Sequence, residues 1–188
     1  MQLPAVLLAL SLLPGALSWS PFSFLYDPET AQYVYSPIEQ IRYTLAFETF
    51  ILDSKNWTAL EYVYTNDAIA NFTGLGAELW IGRDDIIANE KNGLDHVAHG
   101  VHQLTSSAIL INPANASEAH VSTYITFNHF DTNTEGTQTH VFSAWFKFED
   151  DFVDTESFDG TPSSWRVQNR QMVLVGGGVG DDLAVERP

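Results

Sequence analysis

The sequence predicts one α+β domain in which three helices precede a curved antiparallel sheet. Apolar residues recur at helical spacing between residues 37 and 64, and apolar and polar residues alternate over long segments after residue 100. The chain has 188 residues, which is enough for one substantial core. Helices first and strands afterwards are typical of an α+β arrangement, with the helices closing one side of the sheet.

The first helix is predicted from about Pro37 to Leu52. Ser36 is a suitable N-cap, and Pro37 suits the first helical position. Two apolar stripes follow the helical period, which indicates that the helix is packed on two sides. The stripes consist of Ile38, Ile41, Leu45 and Leu52 and of Tyr43, Phe47 and Phe50.

Asp53 lies in a polar turn between this helix and a second, shorter helix that is predicted from about Asn56 to Tyr64. An Asp at the start of the second helix would be a favourable N-cap. At the end of the first helix, the same carboxylate opposes the helix dipole. The local sequence therefore leaves two interpretations of Asp53 open, a helix cap and a functional acid.

The remaining elements are short strands, one helix and then a series of long strands. Short strands are expected at residues 68–72 and 78–81, and a third helix from Arg83 to about Asn92, ended by Gly93. Longer strands are expected at residues 101–111, 119–130, 137–148 and 165–175. Residues 149–164 are predicted to form an acidic, solvated loop. Polar side chains at positions 166, 168 and 170 indicate a wet outer face on the last strand.

The charge balance is strongly acidic. The chain carries 24 Asp and Glu against 8 Lys and Arg, a formal net charge of −16. Such a charge repels nucleic acid and anionic membrane surfaces, so neither is expected as a partner. The absence of cysteine excludes disulfides, thiolate metal sites and a thiol nucleophile.

The first residues predict the secretory pathway. An apolar run from Leu3 to Leu17 with a small-residue cleavage site is typical of a signal peptide, here residues 1–18. We expect an N-terminal arm at residues 19–35, the domain at 36–175 and a disordered, Gly-rich acidic tail at 176–188. Three glycosylation sequons, at Asn56, Asn71 and Asn115, favour a secreted or secretory-pathway protein.

Three strand histidines are candidate acid–base groups. His102, His129 and His140 each lie on a strand face that is at least as apolar as the opposite face. For His129 or His140 alone, a buried core histidine is the more common explanation. A histidine acting with a carboxylate is the alternative, because its pKa lies near neutrality.

A metal site is not expected. His96, His99 and His102 are evenly spaced, but Gly93 and Gly100 argue against the helix that would align them. No motif for an organic cofactor is present either, so no cofactor is expected.

Several short motifs resemble those of SnoaL-like proteins of the nuclear-transport-factor-2-like superfamily. They lie at residues 52–60, 64–68, 102–104 and at Gly82. The resemblance covers roughly residues 36–175 and extends to scytalone dehydratase and to fungal polyketide cyclases and isomerases. It implies a cone-shaped antiparallel sheet, an α+β barrel, with three helices that enclose an apolar pocket.

The resemblance to scytalone dehydratase implies that Asp53, His102 and His129 are catalytic. They correspond to its essential Asp before the Trp, to the His that opens the long strand and to the His at the end of the next strand. The residues that are expected to line the substrate pocket are Leu52, Asn71, Phe72, Tyr124, His140 and Phe142. At two of these positions, Leu52 and Phe72, the dehydratase has tyrosines that hold a water molecule.

Together with these residues, the resemblance implies a cofactor-independent lyase, cyclase or isomerase of fungal secondary metabolism with a polyketide- or terpenoid-like substrate. A histidine can abstract a proton beside a carbonyl, and a carboxylate on its other ring nitrogen fixes its tautomer. The alternative is a non-catalytic member that binds a small apolar ligand or a partner subunit in the same cone. We expect a homodimer that pairs through open sheet faces.

Overall fold

The computed structural model describes residues 35–97, 99–132, 138–158, 161–176 and 178–180. The predicted signal peptide, nearly all of the predicted arm and most of the predicted tail lie outside these residues. The helices are α1 (Pro37–Ser54) and α2 (Arg83–Leu94), with short 3₁₀ segments at Trp57–Tyr62 and Thr73–Leu75. The strands are β1 (Tyr64–Asn71), β2 (Leu79–Ile81), β3 (His99–Ile111), β4 (Glu118–Thr132), β5 (Gln138–Asp154), β6 (Trp165–Leu174) and β7 (Val179–Gly180).

Helix α1 begins as predicted but ends later. The Ser36 hydroxyl accepts a hydrogen bond from the Glu39 amide at 3.3 Å, and Pro37 is the first helical residue. The helix ends where Lys55 adopts a left-handed conformation with a φ of 57° and its N–H bonds to the Leu52 carbonyl at 3.2 Å. Asp53 therefore lies inside the last turn of α1.

The other two helical segments differ in detail from the prediction. Residues 57–62 form a 3₁₀ helix rather than an α-helix. Helix α2 continues through Gly93 to Leu94, and the Asp95 N–H closes it by bonding to the Lys91 carbonyl at 2.8 Å. Gly93 does not end the helix, because a capping glycine needs a positive φ and Gly93 is not among the glycines with one.

The described strands form one curved, mixed sheet in the order β2-β1-β6-β5-β4-β3, with β7 beside β5. The predicted α+β class is confirmed. Two details need correction, since β1 and β6 are parallel and the sheet does not close into a barrel. Parallel neighbours need a long crossover, and here the chain from β1 to β6 passes through α2 and four strands, β2 to β5.

Strand β5 is longer than predicted and includes most of the acidic run. Residues 149–154, predicted as loop, continue the ladder with β4 and β6. Phe148, Asp150 and Phe152 are buried, whereas Glu149 and Asp151 lie on the other face. A strand tolerates this acidic run because most of its carboxylates face outward. Every second residue still points to the buried face, as the period of two in a strand requires.

Helix α1 lies against β3 and β6 on the inner face of the sheet, which we define as the face where Val121, Thr123 and Ile125 of β4 are buried. Its stripe contributes Ile41 and Leu45, which are nearly inaccessible to solvent. Burial of such a side chain stabilises the fold by about 1.5–3 kcal/mol. The site residues at the end of α1 are thus held by a packed helix.

The described part of the chain contains no helix that is both long enough and apolar enough to span a membrane.

Candidate functional site

Asp53 and His102 form a direct pair between α1 and the edge strand β3. Asp53 Oδ1 lies 2.7 Å from His102 Nδ1, with side-chain exposures of 24% for Asp53 and 12% for His102. Both carboxylate oxygens also accept the His102 backbone N–H, at 3.0 and 3.2 Å. These hydrogen bonds of the Asp53 carboxylate thus go to His102 rather than to the backbone N–H groups of the next helical segment. That 3₁₀ segment has Asn56, not Asp53, at its N-cap position.

The pairing with Asp53 sets the protonation of the neutral His102 ring. A carboxylate can only accept hydrogen bonds, so Nδ1 carries the proton. Nε2 then holds the lone pair of a potential base. An Asp at a helix C-terminus costs roughly 0.3–1 kcal/mol through the helix dipole, and these charge-assisted hydrogen bonds offset that cost.

His129 lies on the same face of the sheet as His102 and is buried, with 9% exposure. His102 pairs across the ladder with Phe127, and His129 pairs with Gly100, so the two histidines are diagonal neighbours. Such neighbours have Cα atoms roughly 7–8 Å apart. The register therefore places both histidines close together on the inner face of the sheet.

An aromatic ring packs against His102. The Phe127 ring lies 4.6 Å from the His102 ring, measured between centroids. Gly100 makes room for it, because a Cβ at residue 100 would lie 2.9 Å from Phe127 Cε2. The surroundings of the histidine pair are therefore apolar and tightly packed.

Three of the predicted pocket residues lie on or near this face. Leu52 is buried on α1, and Phe142 is the cross-strand neighbour of His129 on β5. Phe72 is buried and stacks on Trp80 at 4.3 Å between ring centroids. The His140 side chain lies outside the described part of the structure.

Two predicted pocket residues point elsewhere and are corrections. Tyr124 lies on the outer face of β4, with 48% exposure, because its position alternates with Thr123 and Ile125. Asn71 likewise alternates with buried Ala70, and its Nδ2 donates to Gln171 Oε1 at 2.7 Å. The structure therefore does not bring either side chain to the histidine pair.

Among the described residues, no group of three His, Cys, Asp or Glu side chains could hold a metal ion. The candidate site consists of acid–base and aromatic groups from α1, β3, β4 and β5.

An open groove of about 230 Å³ lies between α1 and β3. It is lined by Arg42, Leu45, Leu104, Thr105, Ser106 and Ser107. None of the predicted catalytic residues lines it.

A buried ionic network, which the sequence analysis did not anticipate, lies on the inner face. Arg170 bonds Asp150 through Nε at 2.8 Å and Nη2 at 2.9 Å, and bonds Glu48 through Nη1 at 2.5 Å and Nη2 at 2.9 Å. Its Nη1 also donates to the Tyr64 hydroxyl at 2.6 Å. Arg170 and Asp150 were predicted to be solvated, and both are buried.

The network is satisfied internally. All five N–H groups of the Arg170 guanidinium have acceptors, and its Cζ lies 4.1 Å from the centroid of the Phe148 ring. Burial acts to lower the pKa of Arg170, but the carboxylates of Asp150 and Glu48 together raise it well above its usual value, so the guanidinium stays charged. Burial raises the pKa of Asp150 despite the opposing effect of Arg170.

A further carboxyl lies beside the network, that of Glu90 on α2. Burial and then the nearby Glu48 carboxylate raise its pKa to about 7, while Arg170 opposes the shift. The Glu90 side chain still keeps part of its surface accessible to solvent. A signal for the network was present in the sequence, since Glu48 falls on the buried stripe of Ile41, Leu45 and Leu52.

Comparison with known families assigns this fold. The sequence matches the SnoaL-like domain family over residues 36–171. The chain belongs to the SnoaL-like domain family. The resemblance predicted from the sequence is thereby confirmed, including membership of the nuclear-transport-factor-2-like superfamily. No curated protein matches the chain.

Solved structures share the SnoaL-like fold at low sequence identity. A Novosphingobium aromaticivorans DSM 12444 protein described as a candidate scytalone dehydratase has a TM-score of 0.60 at 15% identity, covering 80% of this chain and 94% of that chain. The Kfla4162 protein from Kribbella flavida has a TM-score of 0.60 at 15% identity, covering 74% and 91%. A Catenulispora acidiphila protein in complex with S-DNPA has a TM-score of 0.56 at 18% identity, covering 73% and 92%. At these identities the likeness shows the fold alone.

Proposed function

We propose that this SnoaL-like protein is a cofactor-independent lyase, cyclase or isomerase that uses Asp53, His102 and His129 as an acid–base set. The single observation that carries the proposal is the 2.7 Å contact between Asp53 and the His102 ring, with His129 on the same apolar face. A histidine that a carboxylate orients through its other ring nitrogen is well suited to act as a general base.

The proposed step is proton abstraction beside a carbonyl. His102 Nε2 takes a proton from the carbon next to the carbonyl, and the electron pair moves toward the carbonyl oxygen as an enolate forms. In a dehydration, the enolate re-forms the carbonyl, a carbon–carbon double bond appears and the β-hydroxyl leaves as water with a proton from His129. His102 has then gained one proton and His129 has lost one, and exchange with solvent restores both.

The substrate class that we propose is a polyketide- or terpenoid-like ketone from fungal secondary metabolism. Phe127 and Phe142 beside the histidines favour a flat or largely apolar molecule over a charged one. The net charge of −16 also disfavours an anionic substrate. We further propose that the protein passes through the secretory pathway and acts as a homodimer.

Hydrogen–deuterium exchange tests the proposal without knowledge of the natural product. The full chain is incubated in D₂O with a panel of aromatic and terpenoid β-hydroxyketones, and deuterium uptake beside the carbonyl and loss of water are followed by mass spectrometry. We expect catalysed exchange for at least one ketone, and a loss on the order of 10²-fold in Asp53→Asn, His102→Gln or His129→Gln.

A matched control is available on the outer face. His120 also pairs with an aspartate, since its Nδ1 lies 2.9 Å from Asp151 Oδ1, but it is half exposed. His120→Gln is expected to keep full activity. Exchange that is equal in the wild type and in all three site variants would contradict the acid–base assignment.

The second candidate function is the binding of a small apolar ligand without catalysis. It is favoured by Leu52 and Phe72, because both are apolar where scytalone dehydratase has its water-holding tyrosines. In that case a ligand would be extracted from the purified protein and identified by mass spectrometry, and Asp53→Asn would still bind it. Catalysed exchange in the wild type would contradict this alternative.

A further inference from the structure

The two edges of the sheet differ in how they are protected. Strand β2 has three residues, and the Ile81 N–H at that edge is bonded to Asp85 Oδ2 at 2.9 Å. Strand β3 has 13 residues and ends the strand order on the other side. Short strands and capped amides are devices that prevent pairing with another chain, and β2 uses both.

The register of β3 shows which of its amides face outward. The Asn112 N–H bonds to the Glu118 carbonyl of β4 at 2.8 Å. Antiparallel hydrogen-bonded pairs alternate along a ladder, so residues 108 and 110 also bond to β4. The N–H and C=O groups of Ser107, Ile109 and Ile111 therefore point away from the sheet.

Along this edge, Asp53 caps one outward amide, that of His102. Beyond the β-bulge that follows Leu104, no strand of the described part of the chain pairs with the outer side of residues 107–111. Leu110, with 67% exposure, and the exposed Ala108 flank these amides on the outer face. This half of β3 offers unpaired backbone groups together with apolar side chains.

The composition of β3 is unusual for an exposed edge. Residues 97–112 contain no Asp, Glu, Lys, Arg or Pro in a chain whose formal net charge is −16. Edge strands normally carry such residues, lysine and proline in particular, because they prevent further pairing. Two copies of this chain carry the same large net charge, and an uncharged strand such as β3 allows them to approach without opposing like charges directly.

We propose that the outer edge of β3, from Ser107 to Ile111, pairs antiparallel with the same strand of a second copy of this chain. A pairing centred on Ile109 sets Ser107 opposite Ile111 of the second copy, so each outward amide meets an outward carbonyl. On the outer face, Leu110 of each copy then lies opposite Ala108 of the other. The contact is isologous, as a twofold axis requires, and it joins two sheets into one.

This surface differs from the sheet-face pairing that the sequence analysis predicted. The two alternatives use different residues, since sheet-face pairing covers Tyr124 and Trp145 and leaves the outward amides of Ser107, Ile109 and Ile111 exposed. Pairing through one strand buries less than a standard interface of about 1,200–2,000 Å², so we expect weak, concentration-dependent association.

Charge substitutions at the two facing positions test the proposal in the full chain. In Ala108→Lys with Leu110→Lys, lysine meets lysine across the axis, and sedimentation velocity is expected to show a monomer. In Ala108→Glu with Leu110→Lys, glutamate meets lysine of the other copy, and the dimer is expected to persist. Leu79→Lys on the β2 edge and Trp145→Lys on the outer face are matched controls that keep the dimer.

Amide exchange followed by NMR provides a second readout in the same samples. The N–H groups of Ser107, Ile109 and Ile111 are expected to become protected as concentration rises, whereas residues 108 and 110 stay protected throughout by β4. A monomer at every concentration would overturn the proposal. So would a dimer that survives the double lysine variant or that Trp145→Lys dissociates.

Discussion

At the scale of single residues, the side chains that matter are polar groups placed in apolar surroundings. Asp53 lies where the helix dipole disfavours it, and its contacts with the His102 amide and ring account for its position. His129 is buried one diagonal step away on the next strand. Such groups usually reduce stability, so their presence favours a function.

Glu90 makes the stability of the protein depend on pH. Its pKa is raised to about 7 in the fold from an ordinary value of 4.5, so between these values the folded state holds a proton that the unfolded chain has released. The contribution of Glu90 to the free energy of unfolding is therefore most favourable below pH 4.5, and it falls as the pH rises to about 7.

We expect Glu90→Gln to remove this decline and to stabilise the protein at pH 8 relative to the wild type. The gain should be on the order of 1–2 kcal/mol, because water reaches part of the side chain and screens the shift. Urea unfolding of both proteins at pH 5 and pH 8 measures it. An equal effect at the two pH values would show that Glu90 titrates normally.

At the scale of elements, one ionic network fastens α1 to the sheet. Arg170 of β6 joins Glu48 of α1 to Asp150 of β5, and Tyr64 of β1 donates to Glu48 at 2.5 Å. Four elements are thus joined at one guanidinium. The network holds α1 against the sheet, and the last turn of the same helix carries Asp53 to His102.

Arg170→Met is expected to destabilise the fold by about 3–5 kcal/mol, because it leaves two buried carboxylates without a cation. Adding Glu48→Gln and Asp150→Asn to the same protein should recover part of that loss. Urea unfolding measures each variant. Arg42→Met is the control, since the Arg42–Glu39 pair is exposed and its loss should change stability by less than about 1 kcal/mol. A loss in Arg170→Met no larger than in the control would contradict the proposed role.

Helices and strands could be predicted from the sequence wherever the apolar residues clearly followed either the helical period or the strand period. The helical start at Ser36 and the strands 101–111 and 119–130 agree with the structure to within a few residues. The acidic end of β5 was predicted as a loop because its many carboxylates are typical of a solvated segment. The alternation of apolar and polar residues in the same segment indicated a strand. The burial of Arg170 could not be predicted, since it depends on Glu48, which is 122 residues away in the chain.

The candidate site could be predicted only in part. The resemblance identified Asp53 and His102, and the structure brings them into contact. Strand alternation could have excluded Tyr124 and Asn71, because each follows a residue of the buried face. Asp53 reaches the edge of β3 only because of the position in which α1 packs against the sheet. That position depends on tertiary packing and could not be predicted from the sequence pattern.

At the scale of the whole molecule, the acidic charge and the sequons suggest where the protein works. The described chain places Asn115 in the exposed turn between β3 and β4, where its Nδ2 donates to Glu118 Oε1 at 2.8 Å. Asn71 lies in strand β1 rather than in a turn, where its Nδ2 donates to Gln171 Oε1 and its Oδ1 accepts from the Thr73 hydroxyl. We propose that Asn115 carries the glycan if the chain enters the secretory pathway.

Intact mass of protein from a fungal secretory host tests this expectation. We expect loss of residues 1–18 and a mass decrease on glycosidase treatment that disappears in Asn115→Gln. Asn71→Gln serves as the control and should keep the mass decrease. An unglycosylated chain that retains Met1 would contradict the secretory assignment.

The coupling of the two site histidines tests the acid–base set most directly. The rate of deuterium uptake beside the ketone carbonyl is measured for wild type, His102→Ala, His129→Ala and the double variant. If the two act as one set with Asp53, each single variant loses on the order of 10²-fold and the double variant loses little more than the worse single. Losses that multiply, or single variants that retain the wild-type rate, would contradict a shared catalytic role for His102 and His129.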